Sequence, residues 1–309
     1  YFPFPALKHK KLLTFAGKLH INNFSCIMAN VIKIKKGLDI NLKGKASDVL
    51  LNGGKSDSYA IVPDYYNGIL PKVVAKVGEK VKAGSVLMID KNHPEIKFVS
   101  PVSGEVTAVN RGEKRKVLSV VVKPEAQIEY EDFGKKNVAS LKREEVKEAI
   151  LHAGMWPFIK QRPYDIVAAP LDTPRDIFVS AFYSAPLAPN FDFIVKGQEA
   201  DFQTGLNALA KLTNGKVYVG VRSGSVVSGM KGVEIVEVEG PHPAANVGVQ
   251  INHIKPVNKG EVVWTVNPAD VIVIGRLFNK GVADFSRMVA ITGSETTERG
   301  YVKTISGCT

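Results

Sequence analysis

The sequence predicts a multidomain α+β chain: a small flattened β-barrel, an α/β domain with a mostly parallel sheet, and the first strands of another small β unit. Three observations predict it. Short apolar pieces alternate with glycine turns through residues 77–122. Past Lys123-Pro124 the apolar period changes from that of strands to that of helices, and the two then alternate. Near the end the chain returns to short β pieces, Met288-Val-Ala-Ile-Thr-Gly293 and Gly300-Tyr-Val-Lys-Thr304.

The barrel pattern occurs twice. Gly78-x-x-Val81-x-x-Gly84-x-Val86-Leu87 is loosely echoed by Gly104-x-Val106-x-x-Val109-x-x-Gly112, running on to Val117-Leu118. Such short strands cannot bury a face alone, but a doubled set closes on itself, as in biotinyl and lipoyl carrier domains. The alternation Val31-Ile-Lys-Ile-Lys35 is assigned to the same unit, which ends with the strand over residues 117–122. Residues 1–27 lack periodicity and hold four lysines and no acid; they are expected to be a non-native upstream tail, with Met28 as the native start. The expected domains are therefore 28–126 (barrel), 127–285 (α/β) and 286–309 (partial β unit).

In the α/β region Ser140 is the expected N-cap of a helix whose Val146, Ala149, Ile150 and Ala153 form one stripe, stopped by Gly154. A strand is expected over residues 176–182, and a helix over 199–211 with Phe202, Leu206 and Leu209 on one side. Strands are expected again over 216–221, 233–238 and 271–274; the apolar run 270–275 has the length of a buried strand.

Composition narrows the function. The 309 residues carry a net charge of +11, 45% hydrophobic and 23% charged residues. No aromatic-interleaved basic cluster suggests base stacking, so no nucleic-acid partner is expected; the mild basicity suits anionic lipid or acidic partner subunits. No apolar run approaches the roughly 20 residues that span a bilayer. Two cysteines near opposite ends exclude a disulfide framework and a cysteine-ligated iron–sulfur cluster.

Several motifs have plain readings. Gly54-Lys55-Ser56 has Val49 where a phosphate loop needs its first glycine, so it reads as a turn. Gly220-Val-Arg-Ser-Gly224 leads into another strand rather than a helix and reads as a connection. Asp90-Lys91 falls near the hairpin where a carrier domain presents its modified lysine, but the hairpin is lengthened and Met-Lys-Met is absent; a solvated Lys91 is the reading. Tyr65-Tyr66 beside a turn either pack a ring on the barrel edge or anchor a partner or ring-shaped ligand. Trp156 and Phe158, in Gly154-Met-Trp-Pro-Phe158, and His242, in Gly240-Pro-His-Pro243, lie at element ends where parallel sheets bind ligands. No catalytic triad, metal-spaced cluster or carboxylate pair is evident.

Longer motifs carry a resemblance. Val31-Ile-Lys-Ile-Lys-Lys-Gly37-Leu38-Asp39, Ile89-Asp-Lys-x-x-Pro94-x-Ile-Lys-Phe-Val-Ser-Pro-Val-Ser-Gly104, Asn110-Arg-Gly-x-Lys-Arg115, Gly240-Pro-His-Pro-Ala-x-Asn-Val-Gly248 and Asn267-x-x-Asp-Val-Ile-x-Ile-Gly275-x-Leu-Phe together resemble the NqrA family, the A subunits of the bacterial Na⁺-translocating NADH:quinone oxidoreductase (Na⁺-NQR). The resemblance implies a barrel-sandwich hybrid domain, a Rossmann-like α/β domain and the start of an SLBB (β-grasp-like) domain, in a chain that family members continue past Thr309. It implies a peripheral protein on the cytoplasmic face of the inner membrane, in a six-subunit complex, docked chiefly on the membrane-embedded B subunit. The complex would pass electrons from NADH to ubiquinone or menaquinone while exporting Na⁺, with no complete active site in this chain. RnfC and the NADH-binding subunit of complex I, which the resemblance makes relatives, hold FMN on a glycine-rich loop. Trp156 stands at the matching place, and their cysteine clusters are absent, so no flavin, iron–sulfur cluster or metal is expected. Tyr65, Tyr66, Trp156, Phe158 and His242 are the quinone-site candidates. An RnfC-like flavoprotein and a biotinyl or lipoyl-type carrier are the alternatives.

Overall fold

The computed structural model describes residues 30–308. The tail reading of residues 1–27, Met28 and Cys26 lie outside them. The first strand, β1 (Asn30–Lys33), is not part of the barrel. It pairs in parallel with residues 236–239 at the edge of the α/β sheet. Alternation identified a half-exposed strand correctly, but its sheet is set by long-range pairing that local pattern does not encode.

The barrel follows. It comprises β2 (Tyr59–Ile61), β3 (Pro71–Val73), β4 (Lys80–Val81), β5 (Val86–Asp90), β6 (Lys97–Val99), β7 (Gly104–Arg111) and β8 (Val117–Pro124). They form two antiparallel sheets, β2-β8-β7-β4 and β3-β5-β6. Leu87, Met88, Val102, Val106, Val120 and Val122 close the core between them. At the β5–β6 hairpin Lys91 is exposed, while Asp90 is buried and accepts the amides of Leu70 (2.9 Å) and Asn92 (3.2 Å). That carboxylate ties the hairpin to the preceding loop.

The α/β domain contains α1 (Arg143–His152), β9 (Ile159–Arg162), β10 (Ile166–Val167), β11 (Ile177–Ser180), α2 (Phe191–Val195), α3 (Glu199–Leu212), β12 (Val217–Val221), β13 (Glu234–Glu239), α4 (Val247–Ile254), β14 (Val263–Val266) and α5 (Pro268–Lys280). Its seven-stranded sheet runs β1-β13-β12-β11-β14-β9-β10, parallel as far as β14 and antiparallel beyond. The helix at α1 starts at Arg143 rather than after Ser140: the Lys142 amide donates to Glu145 Oε2 (2.7 Å), and the Ser140 hydroxyl closes the preceding turn on Asn137 O (2.9 Å).

The run read as a strand over 271–274 is helix α5. Asn267 caps it through the Ala269 amide (3.0 Å), Pro268 occupies its first turn, and Gly281 ends it in the left-handed conformation. Val271, Ile272, Val273 and Ile274 are all buried, so this turn of the helix is apolar all round and its consecutive apolar run hides the helical period.

A hairpin of β15 (Ser286–Ile291) and β16 (Gly300–Ile305) completes the described chain. Tyr301 fastens it: its ring packs on Phe193, its hydroxyl accepts the Asn190 amide (2.6 Å), and its backbone pairs with Val49 and Leu51.

Candidate functional site

Strand order decides where a ligand can enter. From β11 the chain winds outward through β12 and β13, then returns to place β14 on the other side of β11. The connections leaving these two strands diverge, and a crevice opens at their carboxyl ends. Here it is a cleft of about 730 Å³. Ser180, Thr265 and Val266 form its floor, and the first residues of α4 and α5 its sides.

Other units roof the cleft. Tyr65 and Tyr66 reach in from the barrel, Phe158, Lys160 and Arg162 from the β9 edge, and Arg287 from β15. Tyr65 is 76% exposed, a ring presented to solvent at the mouth. Tyr66 sits edge-on to Phe98 with centroids 4.9 Å apart. Phe158 is half-buried against Phe285, and the Arg287 guanidinium lies 5.3 Å over its ring.

The electrostatics centre on Arg287. It donates to Asp270 at the start of α5 and through Nε to Ser306. Its Nη1 has no hydrogen-bond partner among the described residues. Burial pushes the Tyr66 phenol up to about 12, reinforced by the Asp270 carboxylate and partly offset by Arg287. The same causes carry Tyr183 to about 12, although its hydrogen bond to Asn267 (3.3 Å) works the other way. Both hydroxyls therefore stay protonated near neutral pH and donate. That of Tyr183 is spent on Asn267; that of Tyr66 has no partner among the described residues. Arg162 Nε, also in the cleft lining, is buried without a partner among the described residues as well. Free donors thus stand beside aromatic walls, an arrangement that suits a flat ring bearing carbonyl oxygens.

Beside the cleft lies a second, more enclosed pocket of about 250 Å³. Tyr65, Tyr66, Pro157, Phe158 and Arg287 wall both spaces. Beyond them the inner pocket is lined mainly by apolar groups such as Ile61, Val62, Phe98, Val99 and Phe285.

Of the five sequence candidates, Tyr65, Tyr66 and Phe158 meet in this cleft. Trp156 does not line it. It is fully buried beneath, its Nε1 donating to Ala168 O (2.7 Å) and its ring edge-on to Trp264. His242 faces elsewhere. Its Nδ1 lies 3.1 Å from Ser184 Oγ, which already accepts the Ala245 amide. The serine proton is then available to Nδ1, consistent with the Nε2–H tautomer. The His242 amide donates to Asp39 Oδ1 (2.8 Å), so this residue braces the crossing of two loops. Sequence reasoning missed Asp270, Arg287 and Tyr183. Only the Asn267-Pro-Ala-Asp270 capping pattern could have drawn attention to the first.

Among the described residues, no group of three or more His, Cys, Asp and Glu is placed to hold a metal, and no helix is long and apolar enough to cross a membrane.

These features define a class: a barrel-sandwich module joined to an α/β domain with a cleft at its switch point. Comparison with known proteins makes the class particular. The family model for the NqrA N-terminal barrel-sandwich hybrid domain matches residues 32–125, and that for the NqrA second alpha/beta domain matches residues 141–283. Similar curated proteins are the A subunits of Na(+)-translocating NADH-quinone reductases. That of Hahella chejuensis is 38% identical over 282 residues, that of Neisseria meningitidis serogroup A 37% over 281, and that of Photorhabdus laumondii 36% over 281. Each alignment covers 90% of this chain and 63% of the relative, so the chain spans less than two thirds of their length. The chain belongs to the NqrA family.

Proposed function

We propose that this chain serves as the A subunit of a Na⁺-translocating NADH:quinone reductase and that the switch-point cleft holds the quinone. In this reading it works at the cytoplasmic face of the membrane with other members of the complex, chiefly the membrane-embedded B subunit. It takes part in reduction of ubiquinone or menaquinone as a binding scaffold. The relatives' shared description supports the complex and its quinone. The observation that carries the site is that a cleft holding free donors adjoins a more enclosed, mainly apolar pocket, with Tyr65, Tyr66, Phe158 and Arg287 walling both. A quinone has the same division, a flat ring with two acceptor oxygens and an apolar tail.

In the cleft, Arg287 Nη1 and the Tyr66 hydroxyl would donate to the ring oxygens while Phe158 and Tyr65 flank the ring. Asp270 would keep Arg287 aimed. A hydrogen bond from a charged donor is worth about 1.5–3 kcal/mol. Arg287→Lys, which keeps the charge beside Asp270 but loses the planar fork, should therefore weaken binding of a short-chain ubiquinone about tenfold by calorimetric titration of the full chain. Tyr66→Phe should cost several-fold, whereas His242→Ala should leave affinity unchanged. Loss of binding in His242→Ala with Arg287→Lys unaffected would move the site to the loops around His242.

A further inference from the structure

Between β1 and the barrel, residues 35–45 cross the surface as a strap. It is pinned at both ends by buried residues, Ile34 and Ala46. Backbone bonds fasten it between, from Leu38 N to His242 O (2.9 Å) and from Gly293 N to Gly44 O (2.9 Å). The pinned strap turns its apolar side chains outward: Leu38 is 71% exposed, Ile40 55% and Leu42 55%. Val226, also exposed, follows Ser225 at the hollow that Ile40 and Leu42 border. Water is a poor environment for such a cluster on a fastened segment, and a covered state would relieve it.

Charge indicates what covers it. Lys35, Lys36, Lys43 and Lys45 flank the apolar residues, and none forms an ion pair among the described residues. Nearby acids hydrogen-bond to neutral donors within the fold and keep their charge: Asp39 accepts the His242 amide (2.8 Å), Asp48 the Asn190 side chain (3.0 Å) and Asp192 the Ser225 hydroxyl (2.6 Å). Within residues 35–45 four lysines thus stand against Asp39 alone. Apolar groups ringed by unpaired lysines complement the headgroup region of an anionic bilayer, where side chains enter the acyl boundary and ammonium groups meet phosphates.

We propose that residues 35–45 are a membrane-surface contact, with Leu38, Ile40 and Leu42 inserted at headgroup level and the four lysines paired with anionic lipid. The proposal is independent of the quinone reading, since the strap lines neither the cleft nor its inner pocket. The test is co-sedimentation of the full chain with phosphatidylglycerol–phosphatidylcholine vesicles and with phosphatidylcholine alone. Binding should require the anionic lipid and weaken with salt. The triple change Leu38→Ser, Ile40→Ser, Leu42→Ser should lower it at least tenfold at unchanged net charge and unchanged circular dichroism. In a second readout, Ile40→Trp should gain a blue-shifted emission quenched by brominated lipid, distinguishable because both native indoles are buried. Absence of vesicle binding, binding retained by the triple serine variant, or an Ile40→Trp emission indifferent to brominated lipid would each overturn the proposal.

Discussion

Gly275→Ala should cost the protein about 3 kcal/mol or more, although alanine is the better helix former. Helices α3 and α5 touch backbone to backbone at this point. A Cβ built on Gly275 would lie 1.7 Å from Asp201 O, and one on the facing Gly205 would lie 2.1 Å from Val271 O. Both obstacles are carbonyl groups on buried helices, so neither can swing aside as a side chain could. The roughly 1 kcal/mol gained in helix propensity is then outweighed by the separation of two helices that share much of the domain's core. Thermal unfolding should fall by about 6–12 °C for a domain of this size. Gly248→Ala is the matched control: it is also in a helix, α4, but a Cβ there has nothing within 4 Å. That change should be neutral or mildly stabilising. Equal losses from the two substitutions would mean that helix crowding is not the cause.

Asp176→Asn should destabilise by about 3 kcal/mol at neutral pH and leave quinone binding alone, because the residue lies at the opposite end of the sheet from the cleft. Asp176 is 1% exposed at the entry to β11. One carboxylate oxygen meets Arg175 Nε (2.8 Å) and Lys255 Nζ (2.8 Å); the other accepts the Lys216 amide (3.0 Å). Burial works to raise its pKa, but these donors together hold the carboxyl below the usual range. The stabilisation is therefore complete above the unfolded-state value, near pH 4, and is lost as the pH falls through the lower folded value. The wild type should show a steep acid limb in stability below about pH 4, and Asp176→Asn a flatter one. A variant whose denaturation midpoint still tracks the wild type across that window would remove Asp176 from the acid response.

Much of the fold was legible because it follows local rules. The glycine-punctuated repeat announced the barrel, and the stripes of α1 and α3 announced helices. What escaped was decided elsewhere in the chain. Helix α5 carries β-branched residues buried all round, so its period vanished and only its Asn267-Pro268 cap remained as a signal. Helix α4 was hidden behind the glycine- and proline-rich stretch before it. The sheet joined by β1 depends on a partner some two hundred residues away, at Val236.

The cleft was half legible for the same reason. Aromatics beside turns marked Tyr65, Tyr66 and Phe158, since exposed rings near glycine need a purpose. Nothing in the sequence couples Asp270 to Arg287, which belong to different structural units. The same reasoning that found Phe158 also nominated Trp156, yet Pro157 stands between them and the two rings point into different spaces. His242 looked like a presented donor, but its partners are backbone and serine.

The proposed role depends above all on the quinone lying between barrel, sheet and hairpin, and photoaffinity labelling tests this most directly. A photoreactive quinone should be cross-linked to the full chain in its membrane complex and the adducts mapped by mass spectrometry. Adducts are expected on peptides carrying Tyr65 and Tyr66 or Phe158 and Arg162, suppressed by excess unmodified quinone. Competable adducts confined to segments that do not wall the cleft, or found only on other members of the complex, would contradict a quinone in this cleft.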